Sequence, residues 1–328
     1  MSYEPPFKIT SKAINLISQI SEKIGEISTL ENTERTVQLR KKNRIRTIHS
    51  SLAIENNSLT IEQITAIIEG KRVLGPPNEI QEVKNALQAY ELLLNLNPYK
   101  QNDLLKAHQL MMNDLVKHSG KYRKGGVGIF DGKGVVHVAP PADRVPFLMN
   151  DLFDWLKSSD AHPLIKSCVF HYEFEFIHPF QDGNGRIGRL WHSLILSKWK
   201  NFFAWLPIES LVQKYQKEYY IAINNSNKDG ESTEFILFML EIIKETLIEL
   251  VENQKMTDNA TDNVTDKNKE RIKVLIKYLG QNNSISNKEA QSLLGISEAT
   301  AKRFLNSLVK ENLLVAVGEY KARKYIKK

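Results

Sequence analysis

The stretch FEFIHPFQDGNGRIGRLWHS, Phe174 to Ser193, constrains the fold more than any other part of the chain. An apolar run at helical spacing reaches Ile177, and Pro179 disfavours helix at the residue before it, so a helix must stop at His178. Gly183 and Gly185 allow positive φ and Asn184 tolerates it, so successive backbone N–H groups can point into one concavity. A second helix starts there, and its first N–H groups add partial positive charge at the same spot. Arg186 and Arg189 are i and i+3 on that helix and share a face. Any fold must therefore join two helices through a short polar loop carrying His178 and Asp182.

Together these parts describe a polyphosphate site: a glycine nest, a helix dipole, two guanidinium forks and a carboxylate for a divalent cation. His178 lies at its mouth, and an imidazole with an ordinary pKa of about 6.5 suits a general base. Each residue has an ordinary explanation. A histidine at a helix end is a cap, Gly-Asn-Gly is a turn, and an arginine pair is a solvated face. Their coincidence within His178–Arg189 is what favours a site.

Most of the remaining chain reads as helix. Apolar residues recur at helical spacing over Ile9–Ile27, Thr60–Ile68, Glu79–Leu96 and Leu104–Val116. Further helices are predicted over Asp143–Lys157, Pro163–Ile177, Arg186–Lys198, Ile208–Ser226 and Ser232–Glu252. The exception is Gly120–Pro141, where β-branched residues flank an Asp131–Gly132 turn and predict a β-hairpin. At Thr257–Lys269 the chain repeats Thr-Asp with few core formers, as a polar linker or a frayed helix extension does. Beyond it come an amphipathic helix at Arg271–Leu279, a capping box from Ser286 and Glu289, a turn at Gly295, a helix capped by Ser297, and two strands around Gly318. That order is a winged helix. The expected fold is mainly α. The expected parts are an N-terminal helical region (1–100), a catalytic core (101–252), a linker (253–266) and a winged-helix domain (267–328).

The net charge of +7 is uneven: Lys267–Lys328 holds 14 Lys/Arg against 5 Asp/Glu, so the basic character belongs to the tail. Cys168 is the only cysteine, which excludes an intrachain disulfide framework and suits a reducing cytoplasm. The N-terminus lacks a secretory signal pattern, and no apolar run approaches the roughly 18 residues of a membrane span.

His178 to Arg189 resembles the signature of Fic-domain proteins, His-x-Phe-x-(Asp/Glu)-Gly-Asn-Gly-Arg-x-x-Arg, at every fixed position. SSLAIENNSLT resembles the family's inhibitory segment, (Ser/Thr)-x-x-x-Glu-(Gly/Asn), at Ser51, Glu55 and Asn56. The likeness spans roughly Met1 to Glu252 and includes GKYR, the hairpin, PPADRVPFLMNDL and YYIAINNSN. It implies a Fic-type helical bundle that moves AMP from ATP to a Ser, Thr or Tyr hydroxyl of target proteins, itself included. By the resemblance, His178 is the base and Asp182 holds Mg²⁺. Gly183, Asn184, Gly185, Arg186, Ile187, Gly188 and Arg189 bind the nucleotide with His178. Val135, Val136 and His137 form the nearest part of a flap that pairs with the target backbone. Tyr219, Tyr220 and Asn227 line the nucleoside pocket, although core packing explains the tyrosines nearly as well. An intact Gly-Asn-Gly-Arg favours AMP transfer over the kinase-like relatives, while transfer of UMP or phosphocholine stays open.

Ser51 and Glu55 are i and i+4 beside Ile48 and Leu52, so an acid lies on an apolar stripe near a helix C-terminus. A carboxylate is unfavourable there unless a cation answers it. The resemblance supplies Arg189 as that cation, which would keep the γ-phosphate from its seat. In some such proteins the glutamate also supports removal of AMP. A competing reading is a DNA-binding regulator whose Fic core senses nucleotide, with Lys302, Arg303, Lys310, Lys321, Arg323 and Lys324 on phosphates. A protein-interaction or dimerisation role for the tail also stays open.

Overall fold

A computed structural model describes residues 3–28, 34–130, 135–262, 266–318 and 323–328. Its contacts group the chain into two units, Met1–Val251 and Glu252–Lys328.

The first unit opens with α1 (Ser11–Ser28) and α2 (Glu34–Ile54) and continues through α3 (Ile61–Ile68), α4 (Pro77–Leu92) and α5 (Gln101–Met111). A hairpin of β1 (Gly128–Phe130) and β2 (Val135–Val138) interrupts the helices. After it come α6 (Val145–Ser158), α7 (Pro163–Ile177), α8 (Asn184–Trp199), α9 (Ile208–Lys214), α10 (Gln216–Asp229) and most of α11 (Thr233–Asp262), whose last residues count with the second unit. α7 and α8 pair as an antiparallel hairpin and are buried almost all round, as the central helices of a bundle must be. α6 packs on α7, while α2 and α5 pack on α8. α1 turns a single stripe inward, Ala13, Leu16, Ile20, Ile24 and Ile27.

Several predicted boundaries moved. The helix expected over Ile208–Ser226 divides at Tyr215. That break lets the Tyr215 hydroxyl donate to Glu245 on α11 and lets Gln216 Nε2 donate to the carbonyl of Ile54 at the end of α2. α5 stops at Met111 rather than Val116, followed by turns in which Asp114 takes a positive φ of 58°. α4 ends at Leu92 in a tighter turn over Leu93–Asn95. Sequence periodicity located only the end of α2, whereas the helix reaches back to Glu34.

The second unit is a winged helix. α12 (Asp266–Gln281), α13 (Asn287–Leu294) and α14 (Glu298–Lys310) precede two wing strands, β4 (Leu314–Val317) and β5 (Lys324–Lys327). A short β3 (Ile285–Ser286), not foreseen, completes a sheet of order β3-β5-β4. Its core is Leu275, Ile285, Ala290, Ala301, Leu305, Leu308 and Tyr325. The Ser286–Glu289 capping box forms, and Ser297 caps α14. Gly295 and Gly318 have positive φ. Helix continues into the Thr-Asp stretch as far as Asp262 and resumes at Asp266. No helix among the described residues is long and apolar enough to cross a membrane.

Candidate active site

α7 ends where Pro179 requires, with His178 in the left-handed region (φ 51°, ψ 60°) and half-buried. Its backbone N–H donates to Phe174 O at 2.9 Å, and its Nδ1 lies 3.4 Å from Glu175 O.

Three clasps fix the loop that follows. Asn184 Oδ1 accepts the Phe180 N–H and its Nδ2 donates to Phe180 O, both at 2.9 Å. Arg123 reaches in from the segment before the hairpin. Its Nε donates to His178 O at 2.7 Å, and its Nη atoms donate to Ile177 O, Gly125 O and Pro140 O. A buried guanidinium thus satisfies carbonyls at the end of α7 and ties both bases of the hairpin to the loop. His108 stacks on Phe180 with centroids 3.6 Å apart and accepts the Gly120 N–H at Nδ1. That fixes its tautomer, so Nε2 donates to Asp182 O at 3.0 Å. Burial pushes His108 down to about 4, which keeps it neutral in this role.

Gly183 has the expected positive φ of 83°, and a Cβ on it would come within 2.6 Å of Met112 Sδ. Gly185 is different. It lies inside α8 without positive φ, so the two-glycine turn expected from sequence is a one-glycine turn. Gly185 is small for another reason: a Cβ there would collide with Glu55 Oε1 and lie 2.9 Å from Arg189 Nη1. Gly188 leaves room for Glu175 in the same way, since its Cβ would fall 2.6 Å from Glu175 Oε1. Ile187 is fully buried in the core.

The arginines share the loop side of α8 but not their partners. Arg186 Nη2 donates to Asp182 Oδ1 at 2.9 Å, and its Nη1 donates to Glu82 Oε1 on α4 at 3.1 Å. Arg189 is buried, and its described hydrogen bonds go to the end of α2: Glu55 Oε1 at 2.7 Å, Ser51 O at 2.9 Å and Ser51 Oγ at 3.2 Å. Burial opposes its charge, but Glu55 beside it outweighs that and holds the guanidinium above its usual range. α2 ends at Ile54, and Asn56 takes a φ of 67°. Glu55 therefore sits just past a helix C-terminus with a cation answering it.

Asp182 is exposed, and its Oδ1 also accepts the Gly183 N–H at 2.5 Å. Among the described residues no cluster of three or more acidic, His or Cys side chains could hold a metal unaided. Tyr219 is packed in the core, its hydroxyl 3.1 Å from His171 Nε2, while Tyr220 beside it is exposed. Asn227 Oδ1 accepts the Tyr172 hydroxyl at 2.9 Å. β2 pairs with β1 antiparallel, Val138 opposite Gly128, His137 opposite Ile129 and Val135 opposite Phe130. The Asp131–Gly132 turn and the side chains of Val135, Val136 and His137 lie outside the described residues.

Sequence reasoning missed His108, Glu82 and the structural reach of Arg123. Nothing local marks them, because each acts on residues far along the chain.

The sequence profile of the Fic/DOC family matches residues 95–196, and that of the DeoR-like helix-turn-helix domain matches 271–317. The chain is 29% identical over 215 residues to a protein adenylyltransferase Fic of Nematostella vectensis, covering 61% of this chain and 47% of that one. It is 26% identical to one of Aedes aegypti over 70% of this chain and 46% of that one, so it spans about half the length of these curated relatives. Among solved structures, Fic-1 of C. elegans shares the fold (TM-score 0.62, 20% identity, 75% of this chain and 74% of that one). The crystal structure of a Fic family protein from Desulfovibrio desulfuricans G20 superposes with a TM-score of 0.76 and covers 99% of this chain and 98% of its own. Identity to it is 44%, sustained over both chains from end to end, and together with the motif that builds this loop it means that the chain belongs to the Fic family.

Proposed function

We propose that the chain is a protein adenylyltransferase held in check by its own Glu55. The observation that carries this reading is the Arg189 guanidinium clamped by Glu55 and Ser51 one turn into the helix that follows the motif loop. In the reaction, a target hydroxyl oxygen bonds to the α-phosphorus of ATP. The bond from that phosphorus to pyrophosphate breaks, and His178 takes the hydroxyl proton. Backbone N–H groups at the start of α8 receive phosphate oxygens. Arg186, and Arg189 once released, neutralise the leaving pyrophosphate. Such chemistry runs mostly on positioning and electrostatics. Asp182 is an exposed lone carboxylate, which suits Mg²⁺ held jointly with substrate phosphates rather than by protein ligands alone. When bound, the ion supplies charge neutralisation at the phosphates. β2 receives the target backbone by strand addition. Tyr220 and Asn227 border the nucleoside, with Tyr219 acting from the core behind them. Glu55 also serves the reverse reaction, removal of AMP.

The test is incubation with ATP labelled at the α or the γ phosphate, using wild type, Glu55→Gly and Glu55→Gly/His178→Ala. Label retained on protein from the α position alone, and lost with His178, supports AMP transfer. Label from the γ position overturns it, and stronger labelling from UTP redirects it to UMP.

A second reading concerns the winged helix. Lys302, Arg303 and Lys310 on α14 and Arg323 and Lys324 on the wing are all exposed, which supports contact with nucleic-acid phosphates. Lys321 lies outside the described residues. A mobility shift of duplex DNA that weakens steeply with salt supports this role. No shift at low salt leaves the module to protein partners, a second copy of the chain included.

A further inference from the structure

A second carboxyl lies beside Arg189, and nothing in the proposed reaction uses it. Glu175 projects from α7 one turn before His178. It rests against α8 where only a glycine at 188 leaves space, one residue from Arg189. Its Oε1 is buried and has no hydrogen-bond partner. On its own helix His171 Nε2 is 3.9 Å away, but that nitrogen already shares the Tyr219 hydroxyl at 3.1 Å. A buried carboxyl with an unanswered oxygen needs an explanation.

The partners of Arg189 supply one. Glu55 and both contacts of Ser51 belong to the end of α2, so withdrawal of that end takes all three away together. A buried guanidinium left alone is strongly unfavourable. Two carboxyls near it do not depend on α2, Glu175 and Glu209 on α9. Glu209 Oε1 already accepts the hydroxyls of Tyr90 and Ser193, whereas Glu175 Oε1, across Gly188, has no hydrogen-bond partner. We propose that Glu175 is a positioning residue that trades charge with Glu55: neutral while Glu55 holds Arg189, and ionised as the counter-charge of Arg189 once Glu55 has left. The proton goes to solvent through the partly open side of the Glu175 side chain, which is 11% exposed. When ATP phosphates then reach Arg189, Glu175 takes a proton back. The proposal rests on the reading of Glu55 as a removable brake.

The surroundings agree. Burial raises Glu175 to about 8, Arg189 pulls it down and Glu55 pushes it up, so removing Glu55 moves it toward the acid form's loss. Glu209, which also feels the charge of Arg189, is likewise raised by burial. Burial pushes His171 well down and His192 to about 4, and it pushes Tyr219 and Tyr220 up. His178 Nδ1 lies 3.4 Å from the backbone carbonyl of Glu175.

The experiment uses full-length protein carrying carbon-13 at glutamate carboxyls, titrated by NMR. The Glu175 signal is identified by its loss in Glu175→Gln, a variant that keeps the shape of the neutral form. In wild type it should titrate above neutrality. In Glu55→Gln, which removes charge and not volume, and in Glu55→Gly, its midpoint should fall so that the ratio of ionised to neutral carboxyl at a given pH rises about tenfold, the change that a one-unit fall produces. An unchanged midpoint overturns the proposal. ATP binding to Glu55→Gly is then measured by calorimetry in buffers of different ionisation heat. It should take up a proton, and Glu55→Gly/Glu175→Gln should not. Equal uptake in both also overturns it. If Glu55→Gly labels no faster than wild type, the brake reading falls, whereas the NMR midpoints still decide the charge exchange.

Discussion

Gly185 and Glu55 occupy adjoining space, so that a single methyl group on Gly185 would stand where the Glu55 carboxylate now lies. The two residues are far apart in sequence and belong to α8 and to the turn after α2. Gly185 is thus a condition for the Glu55–Arg189 contact. Under the proposed reaction the same space would take an oxygen of the nucleotide.

Gly185→Ala should still fold, since the atoms it meets are the ends of flexible side chains, though with some loss of stability from the disturbed buried ion pair. It should disrupt the Glu55–Arg189 contact without raising transfer, because the methyl group also obstructs the phosphate. The comparison is α-label incorporation by Gly185→Ala and Glu55→Gly/Gly185→Ala. Full activity in the double variant would mean that the nucleotide does not approach this part of α8.

Arg123 should be the residue whose loss most loosens the loop. Arg123→Met keeps the stem but strands carbonyls of Ile177, His178, Gly125 and Pro140. Leaving such buried acceptors unanswered should cost about 2–4 kcal/mol. Arg123→Lys, a point charge without the fork, should recover only part. All four tryptophans, Trp155, Trp191, Trp199 and Trp205, lie in the first unit, so urea unfolding followed by their fluorescence reports it. A cost below about 1 kcal/mol, with unchanged amide exchange at Gly120 and Phe180, would reject the clasp.

The helices and the motif were legible because their causes are local. Pro179 sets the end of α7, Gly183 sets the turn, and Ser286 with Glu289 starts α13. What was not legible depends on partners remote in sequence. Gly185 looked like a turn glycine because nothing nearby reveals that Glu55 arrives above it. Tyr219 and Tyr220 are neighbours of one type, yet one is core and the other exposed, and only the packing of α10 on the bundle decides which. His108 reads as an ordinary helical residue until Phe180 and Asp182 are brought to it. The winged helix was read almost whole, apart from β3, whose two residues carry no periodicity.

Two buried glutamates should make the first unit less stable as pH rises. Burial raises Glu173 to about 7, with the Tyr3 hydroxyl bond working the other way, and raises Glu175 to about 8. The folded state then binds more protons than the unfolded chain, whose glutamates titrate at the ordinary 4.5. Their contribution is fully present below that value and is lost as pH rises through about 7 to 8. In Glu173→Gln/Glu175→Gln this dependence should disappear. The variant should come close to wild type at about pH 4.5 and exceed it by several kcal/mol, at most about 8, at about pH 8.5. Thermal unfolding by tryptophan fluorescence across that range is the measurement. Parallel curves for the two proteins would show that the carboxyls ionise freely.

The last prediction concerns the clamp itself. With Glu55 on Arg189, wild type should transfer AMP weakly and Glu55→Gly strongly. The pair need not be tight in isolation, because it is intramolecular and already positioned. ATP must displace it before the γ-phosphate can meet the guanidinium. A bias of about 1.4 kcal/mol changes the competent population tenfold, and a charge-assisted contact at 2.7 Å on a buried arginine can supply it. Ser51→Ala removes only the weaker hydroxyl contact at 3.2 Å and leaves the carbonyl contact, so it should act in the same direction but less. Arg189→Ala should be inactive alone and remain impaired with Glu55→Gly, because the guanidinium serves the closed and the competent states alike. Labelled-AMP incorporation over time, with ATP affinity measured beside it, separates the cases. Glu55→Gly should gain mainly in productive turnover, and Arg189→Ala/Glu55→Gly should lose it while still binding nucleotide. Equal turnover by wild type and Glu55→Gly would make the Glu55–Arg189 pair a structural contact only, and the autoinhibition reading would fall while membership of the Fic family stood.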